Sequence, residues 1–184
     1  QEKKAAVFAF AGDTYQGCEA ATIYEYALRW AQDHLLILSG LYGLLRPLDE
    51  IEPYRLEMGS RLKVGRKTSL YEYWGDRIAT ELNQDAEAAG SDILVNCASQ
   101  EYFGAVDLKK LSLRVITPQF YEEHEKGPRI VSFYAKRARG SMARYIVENR
   151  IKTVDALCDF TVGGYAYQPE MSSPEKPVFL RASD

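Results

Sequence analysis

The run from Leu38 to Gly59 carries Ser39, Tyr42, Arg46, Asp49, Tyr54, Arg55 and Glu57 among Gly40, Gly43, Pro47, Pro53 and Gly59. A simple turn needs one glycine or proline to set its dihedrals, whereas this spacing holds a long irregular segment in one shape. Arg46 and Arg55 are planar forks suited to a carboxylate or phosphate. Asp49 and Glu57 have the chemistry either to pair with them or to hold a polar ligand. The plain alternative is a structural loop whose arginines cap helix ends and whose tyrosines pack.

Three further groups have comparable chemistry. Asp13 follows a strand-like run into Phe10-Ala11-Gly12, although the phosphate-loop spacing and its lysine are absent. Asn96, Ser99, Glu101 and Tyr102 follow another apolar run. Ser99 reads as a helix N-cap there, with Glu101 in the first turn. Between Phe133 and Lys152 six cations, including Lys136, Arg137, Arg139 and Arg144, face Glu148 alone. A solvated helix face normally intersperses both signs, so this concentration points to an anionic partner such as phosphate or a polyanion.

The elements that must position these groups are legible as patterns. Short apolar runs at 5–10, 35–38, 93–95, 115–116, 130–133 and 178–180 read as strands. Helical patterns span 22–34 and 135–150. Leu70, Trp74, Ile78 and Leu82 form an apolar stripe on a helix that Gly90 ends. The alternation predicts an α/β or mixed α+β fold, a single domain over 1–184 with a central mixed sheet flanked by helices.

With a net charge of −3 the chain has no general attraction for nucleic acid or anionic lipid, so polyanion contact must be local. Cys18, Cys97 and Cys158 are odd in number and widely spaced, which predicts reduced thiols in a cytoplasmic protein. No run is long enough to span a bilayer, so no membrane partner is expected. Neither histidine sits in a nucleophile or zinc pattern, and no metal or other cofactor is expected. The chain lacks an initiator Met and enters an apolar run almost at once, so an N-terminal piece is expected to precede it.

The stretches SGLYGLLRPLDEIEPYRLEMGSRL at 39–62, LYEYWGD at 70–76, NCASQEYFGAV at 96–106 and SFYAKRARGSMARYIVENR at 132–150 resemble, in the same order, the YaaA family of bacterial peroxide-stress proteins. The resemblance implies DNA binding in the hydrogen peroxide response, limiting peroxide and iron damage. It also implies a preceding helix-hairpin-helix-like segment that contacts DNA, and weaker binding where that segment is lacking. Gly104 and Ala11 stand where members commonly carry a lysine and a polar residue or lysine, which implies a less basic cleft.

The leading expectation is therefore structure-selective DNA contact through the basic helix, since no base-reading motif is present. The runner-up is an enzyme acting on a nucleotide or nucleobase. Tyr42, Tyr54 and Tyr102 would stack the base, Arg46, Arg55 and Lys136 would hold phosphate, and Asp49, Glu57 or Glu101 would serve as acid or base. Iron sequestration by carboxylates is weakest, because the acids have no metal-ligand spacing.

Overall fold

A computed structural model describes residues 2–182. In chain order the elements are β1 (Lys4–Ala5), α1 (Ala6–Ala9), α2 (Asp13–Cys18), α3 (Glu25–Gln32), β2 (Ile37–Ser39), β3 (Gly43–Leu45), β4 (Glu50–Ile51), α4 (Leu70–Trp74) and α5 (Arg77–Ala89). There follow β5 (Ile93–Val95), α6 (Gln100–Phe103), β6 (Arg114–Ile116), β7 (Gln119–Glu122), α7 (Ser132–Asn149), α8 (Val154–Leu157), β8 (Tyr165–Tyr167) and β9 (Val178–Arg181). The fold is mixed α/β. Its strands are distributed over several small sheets, and the residues gather into two compact units.

The first unit comprises Gln1–Ala9, Ala31–Leu94 and Ala98–Arg114. Strands β2 and β3 form an antiparallel hairpin in which Ser39 opposes Gly43 and Ile37 opposes Leu45. Gly43 adopts φ +77°, and the Trp74 ring lies about where its Cβ would stand, at 2.8 Å, so only glycine fits that turn. Trp74 Nε1 donates to the Gly40 carbonyl at 3.0 Å, which ties the hairpin to α4. The core holds Met58, Leu70, Ile78, Ala79, Leu82, Ala105 and Val106.

Two expectations change here. The apolar run 5–10 is not a strand. After β1 pairs with β4, the N–H groups of Ala6 and Val7 donate to the carbonyls of Asp49 and Pro47, and the chain coils into α1. A continuous apolar run marks burial without marking period. In the stripe from Leu70 to Leu82, Leu70, Ile78 and Leu82 are buried and Trp74 is half-buried, but Gly75 at φ 54°, ψ −121° divides it into α4 and α5. The Ser69 hydroxyl caps α4 by accepting from the Glu72 N–H, and Gly90 ends α5 in the left-handed region.

The second unit comprises Phe10–Trp30, Val95–Cys97 and Val115–Asp184. Helices α2 and α7 approach so closely that a Cβ on Gly17 would lie 2.0 Å from the Arg137 carbonyl oxygen, and one on Gly140 would lie 1.7 Å from that of Thr14. Ser141 Oγ donates to the Gly17 carbonyl at 3.1 Å across the same contact. Strand β9 pairs parallel with β7 and antiparallel with β8. Phe120, Phe160, Tyr165 and Phe179 pack edge and face beneath this sheet.

The run 130–133 is also not a strand. Val131 is the N-cap residue of α7, and only an isolated bridge between Glu122 and Arg129 is β-paired. Helix α7 thus starts three residues earlier than its pattern predicts, and Asn149, its last residue, is exposed. The helical pattern at 22–34, by contrast, shortens to Glu25–Gln32, preceded by a 3-10 turn at Ala20–Thr22.

Candidate functional site

In the first unit the long loop and α6 bring together half of the side chains singled out by sequence. Ser39 is wholly buried; its hydroxyl accepts from the Tyr42 N–H at 3.0 Å and shares a hydrogen bond of 2.5 Å with the Tyr54 hydroxyl. Tyr42 meets Tyr54 edge-on, with ring centroids 5.6 Å apart. Ser99 caps α6 by accepting from the Tyr102 N–H. Glu101 reaches back to accept from the Gly59 N–H at 2.9 Å, and the Glu101 carbonyl accepts from the Tyr71 hydroxyl at 2.8 Å. A Cβ on Gly40 would stand 2.5 Å from the Leu56 carbonyl oxygen. The irregular segment from 52 to 60 is therefore pinned at several separate points.

Tyr54 and Tyr102 are held in the neutral form. Burial is the main cause that raises the Tyr54 phenol, opposed by its bond to Ser39 and aided by Tyr42. Tyr102 is raised by burial first, then by Tyr54, Glu101 and Glu57. They are thus hydroxyl donors and stacking faces rather than phenolates. Arg55 and Glu57 form an exposed pair beside them at 3.3 Å, a contact of little energetic weight.

Arg46 and Asp49 lie elsewhere. They follow the open end of the β2–β3 hairpin, whereas Ser39 lies at its turn. Arg46 Nη2 donates to Asp85 at 2.7 Å and Nη1 donates to the Gln32 carbonyl at 3.0 Å. Asp49 accepts from the Arg46 N–H at 2.7 Å. This pair braces the loop against α3 and α5, so it does not join the tyrosine cluster.

Asp13, Asn96 and the basic helix belong to the second unit. Asp13 lies in the first turn of α2, and Asn96 is buried with its N–H bonded to the Ile116 carbonyl at 2.7 Å. The four cations of α7 have unlike surroundings. Arg144 is consumed: Nε donates to Glu148 at 2.8 Å, and Nη1 donates to the Thr22 hydroxyl at 2.6 Å and the Glu19 carbonyl at 3.1 Å. It ties down the chain that leaves α2, a role foreshadowed only by Glu148 four residues on. Lys136 and Arg137 are exposed and make no ion pair among the described residues, and Arg137 lies over the exposed Phe133 ring at 5.7 Å. Arg139 is half-buried.

Sequence reasoning missed Tyr71 and Arg77, and read Trp74 only as part of an apolar stripe. Arg77 stacks on the Tyr73 and Trp74 rings at 4.5 and 4.7 Å. Their signal was the aromatic density of LYEYWGD, which also fits ordinary core packing. Cys18, Cys97 and Cys158 are free, and among the described residues no group of three His, Cys, Asp or Glu side chains is placed to hold a metal ion. No helix among the described residues is long and apolar enough to cross a membrane.

Comparison with known proteins places these residues in a wider set. A UPF0246 protein of Roseobacter denitrificans is 64% identical over 178 residues, covering 96% of this chain and 69% of the relative. One from Ruegeria pomeroyi is 63% identical over 176 residues, with coverage of 96% and 69%. One from Jannaschia is 56% identical over 180 residues, with coverage of 98% and 70%. The family model described as peroxide stress protein YaaA matches residues 1–171, which include the pinned loop, α6 and the whole of α7. With a match of that extent and relatives of that likeness, the chain belongs to the peroxide stress protein YaaA family, the UPF0246 proteins.

Proposed function

We propose that this protein acts in the peroxide stress response by contacting DNA phosphates through the first half of α7. The observation that carries this reading is the state of its cations. Lys136 and Arg137 are exposed without an ion pair among the described residues, beside the exposed rings of Phe133 and Tyr134, while only Arg144 is spent internally. Two unpaired cations on one helix, on a chain of net charge −3, form a local electrostatic footprint for a polyanion. Contacts of this kind position a protein on the backbone and do not read bases, so binding is indifferent to sequence.

A second reading, a nucleotide or nucleobase held at the tyrosine cluster, is favoured by the edge-on contact of Tyr42 with Tyr54 and by the pinning of the loop beneath it. A titration of short duplexes, followed by fluorescence anisotropy, separates the two. DNA contact by α7 requires Lys136→Ala and Arg137→Ala each to weaken binding by similar factors for every duplex sequence. If both variants keep the parent's affinity while Tyr54→Ala abolishes nucleotide binding, the second reading replaces the first.

A further inference from the structure

Arg139 differs from every other cation on α7. It lies between Ala138 and Gly140, both buried, and its Nε is shielded from solvent with no hydrogen-bond partner among the described residues. It makes no ion pair there either. Arg144, one turn and a half further along, has a carboxylate and a hydroxyl for its N–H groups. Burial holds the Arg139 guanidinium below its ordinary pKa, and the one titrating group that bears on it is the Cys97 thiol. That thiol is itself pushed up to about 12 by burial, so it stays neutral and supplies no counter-charge. A guanidinium remains protonated even so, and a shielded donor with no acceptor carries its full desolvation penalty.

We infer that Arg139 is the anchor of a discrete oxyanion site that takes one phosphoryl group, with Lys136 on the same helical face as its second cation. Residues three apart on a helix are neighbours, so the two side chains can reach one ligand. Two positive charges suit a phosphoryl dianion better than a carboxylate, and the planar fork of Arg139 gives it paired donors. The site shares Lys136 with the proposed DNA contact and differs from it in Arg139, because a half-buried guanidinium is screened by salt far less than a surface one. The phosphoryl group comes from free phosphate, a small phosphate ester or a DNA backbone, and the test below tells these apart.

Thermal melting of the parent, Arg139→Gln and Arg139→Lys is followed while inorganic phosphate replaces chloride at constant ionic strength, with parallel series in a nucleoside monophosphate and in a short duplex. The parent's Tm rises and saturates with the ligand that fits, Arg139→Lys keeps part of the rise, and Arg139→Gln weakens binding at least about tenfold. Without ligand, Arg139→Gln melts at or above the parent, since an uncompensated charge has been removed. A rise with phosphate identifies a free-phosphate site, a rise only with the monophosphate a small ester, and a rise only with duplex a backbone phosphate. Arg137→Ala, which the DNA reading requires to weaken duplex binding, leaves the phosphate response intact. The inference is overturned if no series gives an Arg139-dependent rise, or if Arg139→Gln melts well below the parent without ligand, which would make Arg139 a structural brace.

Discussion

Glu101, in the first turn of α6, accepts the N–H of Gly59 at 2.9 Å, and a Cβ on Gly59 would come within 3.0 Å of the same carboxylate oxygen. The carboxylate is seated directly on the backbone of the long loop. The loop's shape is therefore held from α6, together with the Ser39–Tyr54 bond at its other end.

Glu101→Ala is expected to free this segment. The loss amounts to about 1 kcal/mol of global stability, but amide exchange at 57–60 should rise far more than exchange in α5. Equal protection of those amides in parent and variant would show that the carboxylate does not hold the loop.

Gly140→Ala is expected to destabilise the protein despite the better helix propensity of alanine, worth about 1 kcal/mol. The added methyl would meet the Thr14 carbonyl at 1.7 Å, and backbone cannot give way as a flexible side chain can. Overpacking of this kind costs about 1–3 kcal/mol or more. Gly12→Ser serves as the control: nothing lies within 4 Å of its Cβ and it is the N-cap position of α2, so stability should change by only a few tenths of a kcal/mol. Equal denaturation midpoints for Gly140→Ala and Gly12→Ser would contradict the close helix contact.

The helices at these positions show how much could be read without coordinates. The stripe Leu70, Ile78, Leu82 was legible because its period and its burial coincide. Ser99 was legible because an N-cap is a local signal. The coil at Ala6–Ala9 was not, since its N–H partners are the carbonyls of Pro47 and Asp49, far away in sequence. The parallel pairing of β7 with β9 has the same long-range origin. At the site, the charge of α7 was plain in the sequence, but its division into exposed Lys136 and Arg137, half-buried Arg139 and engaged Arg144 depends on α2, which no local pattern reports. The YaaA-like motifs carried the family assignment, which the relatives bear out.

Burial raises the thiols of Cys18 and Cys97 from 9.0 to about 11 and about 12. In the folded state both stay protonated where the unfolded chain has begun to lose its protons. The unfolded state then binds fewer protons, so the contribution of these two thiols to stability is constant below about pH 9 and falls as pH rises from there through the folded values. Alkylation by iodoacetamide at about pH 8 should be slow for both in the folded protein and fast in denaturant. Rapid labelling of Cys97 in the native state would refute this.

The most direct measurement of the central claim is the salt dependence of duplex affinity for the parent, a Lys136→Ala, Arg137→Ala double variant, and Arg29→Ala, whose exposed side chain pairs with Glu25 on α3. Melting curves must first show that all three fold alike. The account predicts that the double variant binds every duplex more weakly and that its slope of log affinity against log salt falls by about 0.9 for each lost phosphate contact, while Arg29→Ala follows the parent. A double variant with the parent's affinity and slope would contradict it.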